Sequence, residues 1–111
     1  MIPPRFGYSA PDTLDEALSL LAQHGPDAKV LAGGQSLIPL MKLRLAAPPY
    51  LVDINRIQDL SYIREENGSL RIGALTREAD IETSGLIQSK YAIIADTAAV
   101  IADPLVRNLA T

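Results

Sequence analysis

With 111 residues, 48% of them apolar and 21% charged, the chain has the composition of an ordinary soluble globular domain. Ten basic against thirteen acidic side chains leave a net charge of −3, the opposite of the basic footprint that nucleic-acid binding requires. There is no cysteine, which excludes disulfides, thiolate catalysis and Cys-ligated iron–sulfur clusters from this chain, and the single histidine, His24, forms no zinc-ligand cluster.

No apolar run approaches about 18 residues, so no membrane span is expected. The start, Met1-Ile2-Pro3-Pro4-Arg5, lacks the apolar stretch of a signal peptide, and the expected compartment is the cytoplasm. Aromatic residues are scarce at 5%, with no Trp, so the core must be aliphatic.

In chain order, Phe6 to Ser9 reads as a short edge strand between prolines. Thr13 and Glu16 have capping-box spacing, and Leu14, Ala17, Leu18 and Leu21 form the apolar stripe of a helix that Gly25-Pro26 ends. Lys29 to Ala32 reads as a short buried strand running into Gly33-Gly34. Ser36 can then cap a helix from Leu37 to about Leu45, with Pro39 in its first turn. That helix is apolar on nearly every side and is expected to be buried, with Leu37, Leu40 and Met41 in the core. Pro48-Pro49 stops it, and Tyr50 to Ile54 is the next strand.

Asn67-Gly68 is the strongest hairpin signal, because both residues accept the positive φ of a type I′ turn. It joins Ser61–Glu66 to Ser69–Leu75, with Leu70, Ile72 and Ala74 alternating inward. Thr76 can cap a short helix through Ile81. A last helix is expected from about Lys90 to Ala102, with the stripe Tyr91, Ile94, Ala95, Ala98, Ile101 and Ala102, before Pro104 forces an exit. The order strand–helix–strand–helix–strand, then hairpin and helices, implies an α+β protein. Its two small α/β subdomains would span residues 1–57 and 58–111.

Chemistry is concentrated in the glycine pair. Without Cβ atoms, Gly33 and Gly34 allow successive N–H groups to turn toward one concavity; the following helix start adds donors and Ser36 adds a hydroxyl, a set that suits a diphosphate. The loop lacks the Lys-Ser/Thr pair of a nucleotide-hydrolysing P-loop and does not match the Gly-x-Gly-x-x-Gly dinucleotide pattern. On local pattern alone, an anion cradle and a tight turn that needs Gly for geometry both remain open.

The stretch from Lys29-Val-Leu-Ala-Gly-Gly-Gln-Ser36 on to Leu45 resembles the first FAD motif of the medium subunits of aerobic carbon monoxide dehydrogenases. These belong to the molybdenum hydroxylases related to xanthine dehydrogenase. Leu51-Val-Asp-Ile-Asn55, Ile72-Gly-Ala-Leu-Thr76 and Ile101-Ala-Asp-Pro-Leu-Val-Arg-Asn108 agree with the same family. The resemblance implies a PCMH-type FAD-binding domain, truncated here before the second glycine-rich FAD motif, of which Thr111 would be the first residue. It implies an oxidoreductase flavoprotein subunit that passes electrons from [2Fe–2S] clusters through FAD to an acceptor, inactive without its partners. Those partners would be a large subunit with the molybdenum cofactor and a small iron–sulfur subunit. With no Cys to anchor it, FAD would be held noncovalently.

By the same resemblance, Gly33, Gly34, Gln35 and Ser36 would bind the pyrophosphate, with Ala32 shaping the entry. Lys29 and Leu31 would border the cofactor, Thr111 would contribute from the second motif, and Ile101 and Ala102 would pack near flavin or adenine. No residue is expected to act as acid, base or nucleophile. The competing expectation is a non-catalytic structural or docking piece that does not bind flavin alone. His24 and Asp53 read as structural, the latter as a turn or cap partner. Lys42 and Arg44 read as solvent or subunit contacts, and Arg107 either pairs with Asp103 or orients the second motif.

Overall fold

The computed structural model describes residues 1–111 and divides into two compact units, Met1–Gln58 and Asp59–Thr111. The first unit runs β1 (Gly7–Ser9), α1 (Leu14–His24), β2 (Ala28–Leu31), α2 (Leu37–Lys42) and β3 (Tyr50–Asp53). The strands form a parallel sheet in the order β1-β3-β2, registered Tyr8↔Leu51 and Lys29↔Leu51. The chain thus crosses from β1 past β3 to β2 and then returns. Two crossovers of one hand in opposite directions put their helices on opposite faces. His24 at the end of α1 stacks on Tyr50, ring centroids 3.7 Å apart, while Met41 and Ile38 of α2 face Tyr8, Leu31 and Leu51 on the other side.

The start of α1 follows its sequence signal. Thr13 Oγ1 accepts from the Glu16 N–H at 3.2 Å, and the Glu16 carboxylate reaches back to the Asp12 N–H rather than to that of Thr13. Gly25, at φ 54°, closes the helix. Burial differs from the expected stripe: Ala17 is buried, but Leu14 and Leu18 are about half exposed, because only a three-stranded sheet lies beneath the helix. β2 is an edge strand, not a buried one, with Lys29 and Val30 exposed and Ala28 alone buried; the central strand is β3, where Leu51 and Val52 are enclosed. α2 ends at Lys42 and buries only Met41, leaving Leu40 exposed and Leu37 half-buried. Leu43 and Leu45 are exposed as well, and Arg44 adopts φ 59° beyond the helix end.

The second unit opens with a hairpin, β4 (Ile63–Glu66) and β5 (Ser69–Ile72), closed by Asn67 at φ 52° and Gly68 at φ 77°. Leu70 is half-buried and Ile72 and Ala74 are exposed, since no second layer covers that face of a two-stranded ribbon. Pairing continues past β5 through Gly73 N–H to Tyr62 O and Leu75 N–H to Leu60 O. A Cβ at Gly73 would collide with the Leu60 carbonyl, so only glycine fits there. Thr76 does not cap a helix. Its buried hydroxyl instead donates to Tyr62 O at 2.9 Å and accepts from the Tyr62 N–H.

Four helices follow: α3 (Glu78–Thr83), α4 (Gly85–Lys90), α5 (Ala92–Ala99) and α6 (Pro104–Arg107). The single helix expected over 90–102 is broken at Tyr91, whose backbone (φ −135°, ψ 47°) is not helical; Ser84 caps the turn before it by accepting from the Ile87 N–H. Ala95 and Ala98 are buried as the stripe requires, whereas Ala102 lies outside α5, exposed, at φ 46°. Pro104 does not only end a helix. It starts α6 at a position where its missing N–H costs little, with Asp103 accepting from the Val106 N–H at 2.9 Å. Arg107 pairs with Glu82 (Nε–Oε2 3.0 Å) rather than Asp103 and donates to Ile101 O.

Ile87 is wholly enclosed in the second unit. Ile87→Ala is expected to cost about 2–5 kcal/mol by leaving a cavity. Chemical denaturation of the purified protein checks this, and a loss under about 1 kcal/mol would contradict the packing described.

Candidate functional site

In parallel sheets the carboxyl ends of the strands, where chain direction reverses, are where loops converge on ligands. Here the carboxyl end of β2 runs directly into Ala32-Gly33-Gly34-Gln35-Ser36, and the carboxyl end of β3, its sheet neighbour, runs into Asp53-Ile54-Asn55. Gly34 adopts φ 81°, which lets the chain reverse within two residues before α2. The N–H groups of Gly33, Gly34, Gln35, Ser36 and Leu37 donate to no acceptor within the chain; the first loop-to-helix bond is Ile38 N–H to Gly34 O at 3.1 Å. Ser36 does not cap α2, contrary to expectation: its backbone is already helical and its hydroxyl makes no hydrogen bond. The loop therefore presents a run of uncommitted donors with a free hydroxyl, which fits an anion such as a pyrophosphate.

The underside of the loop is apolar. A cavity of about 180 Å³ is lined in part by Phe6, Tyr8, Leu31, Ile38, Met41 and Leu51. A Cβ built on Gly34 points to this side, 2.7 Å from Ile38 Cδ1 and 3.4 Å from Leu31 Cδ1. Glycine is thus favoured by its own backbone, and any side chain here would also displace the tip of Ile38.

Asp53 and Asn55 hold the loop from β3. Ile54 N–H donates to Leu31 O at 3.0 Å, and Asn55 Nδ2 donates to Ala32 O at 2.6 Å. Asn55 is itself fixed by Asp53 Oδ1, which accepts from the Asn55 N–H at 2.9 Å and from Nδ2 at 2.7 Å, while Oδ2 accepts from the Tyr8 hydroxyl. The Asp53–Asn55 pattern is an Asx turn, a local signal available in the sequence that points to a turn partner. The bond onto Ala32 is nonlocal and carried no such signal. Partial burial pushes the Asp53 carboxyl up, but the bonds from Tyr8 and Asn55 outweigh it and hold the group below the ordinary carboxylate range. The Asp53 bond raises the Tyr8 phenol in turn.

The site residues named from sequence fall into both units. Lys29 and Leu31 share one face of β2; Lys29 is exposed and Leu31 half-buried over the cavity. Ala32 through Ser36 form the contiguous loop. In the second unit, Ile101 borders an apolar groove of about 220 Å³ with Ile81, Ile93, Ile94 and Thr97. Ala102 is exposed, and Thr111 is exposed next to Ala110, whose carbonyl accepts from the Glu78 N–H at 2.8 Å. No helix is long and apolar enough to cross a membrane.

Residues 4–111 match the family described as FAD binding domain in molybdopterin dehydrogenase. The chain is 54% identical to the carbon monoxide dehydrogenase medium chain of Hydrogenophaga pseudoflava, over all of this chain and 39% of that one. It is 48% identical to the 6-hydroxypseudooxynicotine dehydrogenase complex subunit alpha of Paenarthrobacter nicotinovorans, over all of this chain and 38% of that one. Among solved structures, carbon monoxide dehydrogenase from Hydrogenophaga pseudoflava superposes with a TM-score of 0.95 over the whole of this chain and 39% of its own. Quinoline 2-oxidoreductase from Pseudomonas putida 86 superposes with a TM-score of 0.93 at 37% identity, again over the whole of this chain and 39% of its own. The chain spans about two-fifths of the length of these relatives.

Because the folded pKa of Asp53 lies below its unfolded value, its stabilisation is complete above the ordinary carboxylate pKa and is lost as pH falls through the folded one. Tyr8 is the titratable group that bonds to it. The stability gap between wild type and Asp53→Asn should therefore narrow as acid unfolding is followed below the ordinary Asp pKa, and a gap constant with pH would contradict this. The matched family fixes what this chain is: it belongs to the FAD-binding domains of the molybdopterin dehydrogenases.

Proposed function

We propose that the loop Ala32–Ser36 binds the pyrophosphate of FAD, within the flavoprotein subunit of a molybdenum hydroxylase. In this reading Gly33, Gly34, Gln35 and Ser36 supply N–H donors, Ser36 its hydroxyl, and Ala32 the entry to the turn. Lys29 and Leu31 border the cofactor on the β2 side; Thr111, Ile101 and Ala102 contribute from the second unit. Residues 1–57 are the N-terminal subdomain of the FAD-binding domain and residues 58–111 the start of the second. The observation that carries the reading is the run of uncommitted N–H groups from Gly33 to Leu37 at the carboxyl end of β2.

Bound FAD supplies the redox chemistry, accepting electrons from [2Fe–2S] clusters and delivering them to an acceptor. The residues of this chain bind and orient; none acts as acid, base or nucleophile. N–H donors neutralise the doubly charged linker without placing a countercharge beside it, and charge-assisted bonds of this kind are about twice as strong as neutral ones. These residues offer no cysteine to anchor the flavin, and in this reading they hold it noncovalently. The whole protein would work with a large molybdenum-cofactor subunit and a small iron–sulfur subunit, as part of an oxidoreductase of the carbon monoxide dehydrogenase type. The names of the relatives, medium chain and complex subunit, support that assembly.

Ser36→Ala isolates the chemistry, because that hydroxyl makes no bond in the fold. FAD affinity of the full-length protein should fall about tenfold or more, with the thermal midpoint of the FAD-free form unchanged. Gly34→Val should abolish FAD content, since a β-branched residue at positive φ would also strike Ile38. Wild-type FAD content in both variants would contradict the assignment.

A further inference from the structure

We infer that Asn55 is a positioning residue that sets the orientation of the Ala32–Gly33 peptide, and thereby aims the first N–H of the loop at the ligand. The inference rests on the pyrophosphate reading above and assigns to β3 a part in that site.

The argument starts from the planar trans peptide, in which the C=O of one residue and the N–H of the next point in opposite directions. All peptide bonds of the chain are trans. The β2–β3 ladder ends with Leu31 opposite Asp53, and the last backbone rung is Ile54 N–H to Leu31 O. Beyond it the chain leaves the sheet, and a peptide preceding a glycine pair is free to flip. The Asn55 side-chain amide takes the place of the next rung: Nδ2 donates to Ala32 O at 2.6 Å. With that carbonyl held toward β3, the Gly33 N–H must point away from β3, where it meets no acceptor in the chain.

The donor is held in turn. Asp53 Oδ1 accepts from both the Asn55 N–H and Nδ2, so the amide cannot turn its oxygen toward Ala32 O without facing the carboxylate with a second acceptor. Tyr8, on β1, anchors the other carboxylate oxygen. All three strands thus converge on the orientation of one peptide group. An acidic residue near an anion loop is unfavourable as a ligand but suited to this role, because it faces the amide rather than the anion.

The test uses the full-length flavoprotein with Asn55→Ala and with Asn55→Asp, which keeps the shape but cannot donate, beside Ser36→Ala as comparator. FAD dissociation constants, the phosphorus-31 resonances of bound FAD and the thermal midpoint of the FAD-free form are measured for each. Both Asn55 variants are expected to weaken FAD roughly five- to tenfold, the scale of one hydrogen bond, and to shift the pyrophosphate resonances. The midpoint of Asn55→Ala should fall only slightly, because Asn55 is exposed, whereas Asn55→Asp sets a second carboxylate against Asp53 and should fall further. Wild-type affinity in the Asn55 variants with weakened Ser36→Ala would overturn the positioning role and leave the loop assignment standing. Weaker binding with unshifted resonances would also overturn it, since the loop would then have kept its shape. Wild-type affinity in all three variants would overturn the loop assignment itself.

Discussion

The structure of the first unit depends on the pairing of β2 with β3. That parallel ladder delivers the chain to Ala32 at the edge of the sheet, and everything proposed for the site follows from how the backbone leaves it. Gly34 reverses the direction at φ 81°, α2 begins two residues after Gln35, and the N–H groups between have no internal claim on them. Buried or crowded donors without partners are rare in folded proteins, because each costs about as much as a lost hydrogen bond. In the proposed site a ligand supplies the acceptors for this consecutive run at a strand end, half-buried at Gly33 and Gly34.

The same geometry gives Asp53 a structural part. Asp53 lies at the end of the neighbouring strand, ionised and already engaged by Tyr8 and Asn55. It stiffens the turn from below while the donors point elsewhere. The apolar cavity lies against this turn, and a Cβ at Gly34 would press on the tip of Ile38. Sheet, polar clamp and apolar floor together preorganise the turn, which in the proposed site leaves little ordering entropy to oppose binding.

Much of this was legible in the sequence, for local reasons. Thr13 with Glu16, Gly25-Pro26, and Asn67-Gly68 are short-range signals whose chemistry acts within a few residues, and each produced its cap, stop or turn. The glycine pair and the family resemblance located the loop. Burial was less legible: Leu14, Leu18 and Leu40 read as core by periodicity, yet periodicity names a face and not what covers it. Thr76 and Ser36 have capping residue types, but tertiary demand redirected one to Tyr62 and left the other without a bond. Tyr91 breaks the helical run through its backbone, which no propensity marks. The role of Asn55 depends on strand order, β1-β3-β2, and strand order is invisible to a reading that proceeds residue by residue.

The central claim is that backbone amides at the end of β2 carry the pyrophosphate. It is tested most directly by an experimental structure of the full-length protein with FAD bound. The account predicts pyrophosphate oxygens at about 2.7–3.2 Å from the N–H nitrogens of residues 33–36, ordinary hydrogen-bond distance. A pyrophosphate bound elsewhere, with those amides turned against protein, would contradict it.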